Sequence, residues 1–336
     1  MINSISPPSL GSITLAVSMF LGIFNTTFAA EATQKVRFEE VARSALFVPL
    51  YVALSQDYFL QEGLDVSLKS SQGTDKGMIS LLSGNADIVL LGPEASIYVI
   101  NSESPAKPRI FAGLIATDGF MLVARESTQP FDWSQLKDKT VMSYRPGSAP
   151  EIFFEQAMKK HGLDPSKDVT RINNLARSSR SAAWSAGQAD FAIFDEPEAS
   201  NLEAAGMGHV VASVGHEVGH VDYTVFTATT RYLENNPEIV RAWVRAIKRG
   251  MKDLESLSST EIAKLASPYF DGLSTDELLK VVDRYRQYGV WKTDPIVTEE
   301  AMARLQDMLI ESGQMVEEDR VAYDTLVTNE FIEAPQ

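Results

Sequence analysis

Cysteine is absent from the 336-residue chain. Disulfides, thiolate nucleophiles, cysteine-held metals and a lipid carried on a thiol are excluded together. A chain this long can bury its own core, so the lack of disulfides does not argue against export. Basic residues are outnumbered: 30 Lys and Arg face 45 Asp and Glu, and the net charge is −15. With no Lys/Arg-rich block, nucleic acid would be repelled over most of the surface, so no nucleic-acid partner is expected. Phosphate-loop, dinucleotide-fingerprint and nucleophile-elbow motifs are all missing, and no spacing of acids and serines singles out a catalytic triad. The residues therefore point away from an enzyme, and no cofactor is expected.

Charge of either sign is missing before Glu31, and after the first thirty residues no segment is apolar enough to span a bilayer as a helix. A mainly apolar stretch runs from Leu10 to Ile23 and is followed by Thr27-Phe28-Ala29-Ala30. An apolar region ending in small residues reads as a secretory signal over residues 1–29, cleaved after Ala29, although the usual positive start is lacking. The stretch falls short of the roughly 20 apolar residues of a spanning helix. Without a cysteine to anchor, the expected destination is the periplasm. The hydrophobic fraction of 44% is that of a soluble globular protein.

Beyond the signal, apolar runs and helical patterns alternate. Strands are expected at Val36–Val41, Val66–Lys69 and Ile88–Leu91, with helices from Val48 to Asp57 and from Thr74 to Leu82. Thr74 can cap its helix, and Ser148 with Glu151 resembles a capping box opening a helix to Lys160. Further strands are expected at Thr140–Ser143, Val210–Val214 and Val221–Ala228. Strand–helix–strand spacing of this kind is that of an α/β fold.

The plan occurs twice. Ser83-Gly84-Asn85-Ala86-Asp87-Ile88 and its acidic Pro93-Glu94 loop are echoed by Ala186-Gly187-Gln188-Ala189-Asp190-Phe191 and its Asp195-Glu196-Pro197 loop, roughly one hundred residues on. Upstream, Glu62-Gly63-Leu64-Asp65 is echoed by His161-Gly162-Leu163-Asp164. Two echoes in the same order predict two similar lobes. The first is expected to be discontinuous, residues 35–123 plus 224–330, with the second spanning 124–223 and the two crossings forming hinge strands. Three striped helices near the C-terminus, beginning at Pro237, at Ser274 and near Ala301, are expected only to pack against a lobe.

His216-Glu217-Val218-Gly219-His220 matches the zinc-protease pattern H-E-x-x-H. That chemistry needs both histidines on one helical face with the glutamate poised as base. Gly215 and Gly219 disfavour a helix, and flanking strands place the motif in a loop, so no metal site is expected.

Taken in order, Pro49-Leu50-Tyr51-Val52-Ala53, Asp57-Tyr58-Phe59-Leu60-Gln61-Glu62-Gly63-Leu64-Asp65-Val66, Leu81-Leu82-Ser83-Gly84-Asn85-Ala86-Asp87-Ile88, Leu136-Lys137-Asp138-Lys139-Thr140-Val141 and Asn235-Asn236-Pro237-Glu238 carry a resemblance. Almost the whole chain after the signal resembles the NitT/TauT-type (SsuA/THI5-like, NMT1/THI5-like) substrate-binding proteins of ABC importers. The resemblance implies a type II periplasmic binding protein fold: two Rossmann-like lobes, two hinge strands and C-terminal helices, closing as a monomer on a small-molecule solute and docking on a membrane permease. Eukaryotic members of the wider family make the thiamine pyrimidine from pyridoxal phosphate with a cysteine-rich motif, which this chain cannot supply. A module reporting to a sensor would need the same closure.

Ligands of open α/β sheets sit beyond the carboxyl ends of strands. That rule selects Ser44 and Phe47 after the first strand, Gly73 and Thr74 after the second, and Gly92 and Glu94 after the third. Thr117 and Asp118 lie on the hinge approach. The second lobe supplies Tyr144, Arg145, Gly147, Ser148, Arg177, Asp195 and Glu196, and Tyr223 lies near the return crossing. Gly73-Thr74 and Gly147-Ser148 can offer amides to an anion or carbonyl, and Arg145 can pair with a carboxylate. Glu94, Asp118, Asp195 and Glu196 can receive N–H groups, while Phe47, Tyr144 and Tyr223 can clamp a ring. With more acids and aromatics than cations, the expected ligand is a polar organic nutrient, such as a pyrimidine or another heteroaromatic, ahead of an anion such as nitrate or a sulfonate.

Overall fold

Two five-stranded sheets organise the chain, and each repeats the same plan. The computed structural model describes residues 1–2, 33–127 and 130–332. The signal expected at residues 1–29 lies almost entirely outside the described residues. Both sheets belong to the unit that begins at Thr33.

In the first sheet, β1 (Gln34–Glu40) lies between β2 (Leu64–Ser70) and β3 (Ile88–Leu91), parallel to both. In the second, β6 (Lys139–Met142) lies between β7 (Val169–Ile172) and β8 (Phe191–Phe194), again parallel to both. Each parallel triplet is then extended by two antiparallel strands. β10 (Thr224–Thr229) pairs with β3 and with β4 (Pro108–Ile115). β5 (Met121–Ala124) pairs with β8 and with β9 (His209–Ser213). β3 and β8 are buried along their whole length, as short apolar runs covered on both faces require.

The Ala-Asp echo has a physical cause. Asp87 Oδ2 accepts the Arg37 backbone N–H of β1 at 2.8 Å, and Asp190 Oδ2 accepts the Thr140 N–H of β6 at 2.9 Å. Each aspartate pins the middle strand of its parallel triplet to the chain entering the next strand. The glycine three residues before each aspartate, Gly84 or Gly187, has φ +73° or +76°, the left-handed turn that ends its helix.

Chain passage between the sheets differs from the expected boundary at 123/124. Met121–Ala124 is β5, fully buried and paired within the second sheet. The crossing therefore falls at residues 116–120, before the strand and not inside it. The return runs through 214–223 to β10. The two crossings are tied together: Val221 N–H donates to Ala116 O at 2.9 Å, Val214 N–H to Phe120 O at 3.0 Å, and the Thr117 hydroxyl to Gly215 O at 2.8 Å. A methyl at position 215 would lie 2.0 Å from the Asp118 carbonyl oxygen, so only glycine allows this approach.

Asp222 fixes the return crossing to the C-terminal segment. Its buried carboxylate pairs with Lys292 Nζ at 2.5 Å, and it also receives the Thr298 N–H at 3.1 Å and faces His220 Nε2 at 3.0 Å. Thr298 in turn caps helix Glu299–Glu311. Helix Pro237–Ser256 packs Trp243 against Phe38, Phe59 and Phe226, so the first sheet is roofed by aromatic contacts. The Ser274/Glu277 capping box forms as read. Ser148 and Glu151 do not form one. The Ser148 hydroxyl donates to Arg145 O at 2.7 Å, while the buried Glu151 accepts from Ser143 Oγ and Tyr144 N and pairs with Arg171. Glu151 is held by charge and hydrogen bonds inside the lobe, out of reach of the helix start. Thr74 is the first helical residue rather than the cap, a place taken by Gly73. Among the described residues no helix is long and apolar enough to cross a membrane.

Candidate ligand cleft

Between the sheets opens a cleft of about 1560 Å³. Its walls are the loops beyond β1, β3, β6 and β8, as the switch-point rule demands. Of the residues expected there, Ser44, Phe47, Thr74, Gly92, Glu94, Tyr144, Arg145, Gly147, Ser148, Arg177, Asp195, Glu196 and Tyr223 line it together. Gly73, Thr117 and Asp118 do not. Gly73 spends its N–H on Val41 O at 2.9 Å, and the Thr117 hydroxyl is spent between the crossings. Asp118 is wholly buried behind Gly119 and Phe120, which do line the cleft.

The cleft's charges are mostly committed. Arg43, which sequence reading left unweighted, pairs with buried Glu40 at 2.9 Å and lies over the stacked rings of Tyr51 and Tyr269. Burial raises the Glu40 carboxyl, and the Tyr51 hydroxyl donates to it at 2.5 Å. Arg177 pairs with Asp195. Arg180, also unforeseen, is buried; it donates to the carbonyls of Ser143, Met142 and Ile193 and lies 4.0 Å from the Tyr144 ring centroid. Its burial lowers its affinity for its proton. Glu196 accepts from Ser200 N and Oγ, both at 3.0 Å, and pairs with Arg284 Nε at 3.1 Å. Arg284 also reaches Glu203 at 2.6 Å, so a C-terminal helix clamps the second lobe.

Two acids differ. Glu94 turns its carboxylate back over Gly92, where an added methyl would lie 2.2 Å from Oε2. Burial raises its pKa, and the neighbouring Asp75 adds to the rise. Asp118 accepts the Phe120 N–H on Oδ1 at 2.6 Å, while its buried Oδ2 has no hydrogen-bond partner among the described residues. Burial pushes its pKa up to about 8, with Asp195 adding to the rise. Around these acids stand Phe120 and Tyr144, edge to face at 5.1 Å, and Tyr223. Burial raises Tyr144 to about 12 and Tyr223 well above the ordinary phenol value, so both are neutral hydrogen-bonding rings.

The C-terminal helices, expected only to pack, also wall the cleft through Tyr285, Leu305, Met308 and Leu309. Gln314, just after the last of these helices, closes against Gly147, since a methyl on that glycine would meet its amide at 2.7 Å. Helical stripes announce a buried face but not which part of that face borders a cavity.

The H-E-x-x-H segment falls partly on a short helix, Val214–Val218, rather than wholly in a loop. Its side chains diverge: His216 faces Tyr288, Glu217 meets His161 Nε2 at 2.7 Å, and His220 joins Asp222 and Lys292. Among the described residues no group of three or more His, Asp or Glu is placed to hold a metal ion.

A family model described as "NMT1/THI5 like" matches residues 44–256. The chain belongs to the NMT1/THI5-like family. It is 38% identical over 304 residues to YtlA of Bacillus subtilis (strain 168), named as a binding protein, covering 90% of each chain. Among solved structures, the periplasmic aliphatic sulphonate-binding protein SsuA from Escherichia coli superposes with a TM-score of 0.69 at 15% identity, covering 89% of this chain and 99% of that one. The periplasmic nitrate-binding protein NrtA from Synechocystis PCC 6803 gives 0.62 at 13% identity, covering 89% and 87%. The fold is therefore that of the periplasmic binding proteins, two α/β lobes with C-terminal helices.

Proposed function

We propose that the protein is exported to the periplasm, captures a small polar organic solute in the cleft between its lobes, and delivers it as a monomer to the permease of an ABC importer. The observation that carries this reading is the composition of the cleft. Loops from both sheets and both crossings converge on one cavity, and its polar groups sit among aromatic rings. Ring-shaped solutes with N–H donors, pyrimidines included, suit those acids and rings. The two crossings at 116–120 and 214–223 are the only covalent passages between the sheets among the described residues, so closure pivots there.

An anion is the second reading. Arg145 lines the cleft, is exposed and has no ion pair among the described residues. Relatives of the same fold are named for sulphonate and nitrate.

The test is gentle purification from the periplasm followed by non-denaturing mass spectrometry, with scattering before and after the bound solute is removed. A released organic solute whose return shrinks the particle supports capture by closure. Recovery of the chain from the cytosol only, or a radius indifferent to the solute, would overturn it. A released inorganic anion or sulfonate favours the second reading.

A further inference from the structure

Four arginines line the cleft among the described residues: Arg43, Arg145, Arg177 and Arg180. Arg177 gives an Nη group to Asp195, and Arg180 gives both of its Nη groups to backbone carbonyls. Arg145 is exposed, and no ion pair among the described residues holds it. Arg43 combines a fixed guanidinium with an unused fork. Its Nε pairs with buried Glu40 at 2.9 Å, its plane lies over the rings of Tyr51 and Tyr269, and neither Nη has an acceptor among the described residues. Resting on the capture reading above, we propose that the captured solute carries a carboxylate and that Arg43 receives it on the two free Nη groups.

The ring of Tyr51 gathers this subsite around one point. Arg43 Cζ lies 5.1 Å from its centroid, the Tyr269 ring 4.8 Å and the Phe270 ring 5.3 Å. Tyr51 is wholly buried and donates its hydroxyl to Glu40 at 2.5 Å, so the platform under the guanidinium is fixed. Glu40 is itself 0% exposed, which turns the Nε side of Arg43 toward the interior. The Nη fork is left on the open side, where the Arg43 side chain is 36% exposed and borders the cleft. Because Glu40 meets only Nε, their pairing orients the guanidinium and leaves two charge-assisted donors for a ligand. Those donors lie parallel in one plane and match the two oxygens of a carboxylate. The third oxygen of a sulfonate lies off that plane and gains nothing from the fork. A side chain already held by an ion pair and two rings loses little freedom on binding, unlike the exposed Arg145. Phe270 and Leu273 line the same cavity and offer apolar surface to the body of the solute.

Three pyridines of similar size separate the group from the ring: nicotinate, nicotinamide and pyridine-3-sulfonate. Binding of each to the full chain, stripped of any co-purified solute, is measured by calorimetry. Nicotinate should bind tightest, about tenfold ahead of nicotinamide and ahead of pyridine-3-sulfonate. Arg43→Lys keeps the charge and loses the fork, and should weaken nicotinate about tenfold while nicotinamide stays within about twofold. Arg43→Gln leaves Glu40 without its cation and should reverse the order of nicotinate and nicotinamide. A loss shared equally by both ligands marks a structural role and overturns the inference. Where one variant fails to fold, the other decides; where both fail, the order of the three pyridines on the wild-type chain decides. Equal or tighter binding of nicotinamide or pyridine-3-sulfonate to wild type, failure of nicotinate to bind, or unchanged nicotinate affinity in a folded variant also overturns it. So does release of a solute without a carboxylate from the periplasmic protein, and in that case capture stands while carboxylate recognition falls. Absence of any closure removes both.

Discussion

Neutralising Asp118 should stabilise the empty protein, and by an amount that depends on pH. Its carboxyl titrates near 3.8 when exposed and near 8 when buried in the fold. Because the folded value is raised, the folded chain keeps a proton that the unfolded chain releases between those two values. Stability attributable to this group is therefore complete below the unfolded value and falls as pH rises through the window, at 1.36 kcal/mol per unit. At neutral pH the unfolded side is favoured over roughly 3 units, about 4 kcal/mol. Asparagine keeps an oxygen for the Phe120 N–H and carries no charge to bury. Urea unfolding of wild type and Asp118→Asn should thus give near-equal stabilities at about pH 4. The variant should lead by about 4 kcal/mol at neutral pH, and the gap should level off above the folded value. Every other titrating group is common to both proteins and cancels in the difference. Parallel pH curves, or a variant less stable than wild type at neutral pH, would refute the reasoning and mean that Oδ2 is satisfied.

Two further perturbations probe the crossings. Gly215→Ala places a methyl 2.0 Å from a backbone oxygen that cannot swing aside, so a loss of about 3 kcal/mol is expected by denaturant unfolding; a change under about 1 kcal/mol would show the crossings are free to part. Lys292→Met leaves Asp222 buried without its cation and should cost about 3–5 kcal/mol, with Asp222→Asn in the same chain recovering part of it; full independence of the two substitutions in a double-mutant cycle would contradict the pairing.

Much of the architecture was legible because it rests on local periodicity. Helix Thr74–Leu82 and strand Ile88–Leu91 end at the expected residues, since a turn glycine and a run of four apolar side chains are local signals. The duplicated plan was visible because each Ala-Asp turn performs the same task, pinning the middle strand of a parallel triplet. Loops after strands were assigned to the cleft by a topological rule that needs no coordinates. Local signals misled where a distant partner competed: Glu151 resembles a capping glutamate in sequence, but Arg171, Ser143 and Tyr144 claim it.

The amino-acid sequence by itself determined the fold class, the two-lobe repeat, the absence of thiol chemistry and most of the cleft-lining loops. Only the tertiary structure decided which of those loop residues are free to meet a ligand. Four similar acids became two neutralised and two uncompensated because Arg177 and Arg284 reach their partners across 18 and 88 positions of chain. Ion pairing depends on separation in space, and spacing along the chain carries no record of it. The same holds for the C-terminal helices, whose stripes specify burial while the packing of two sheets chooses the residues that border the cavity.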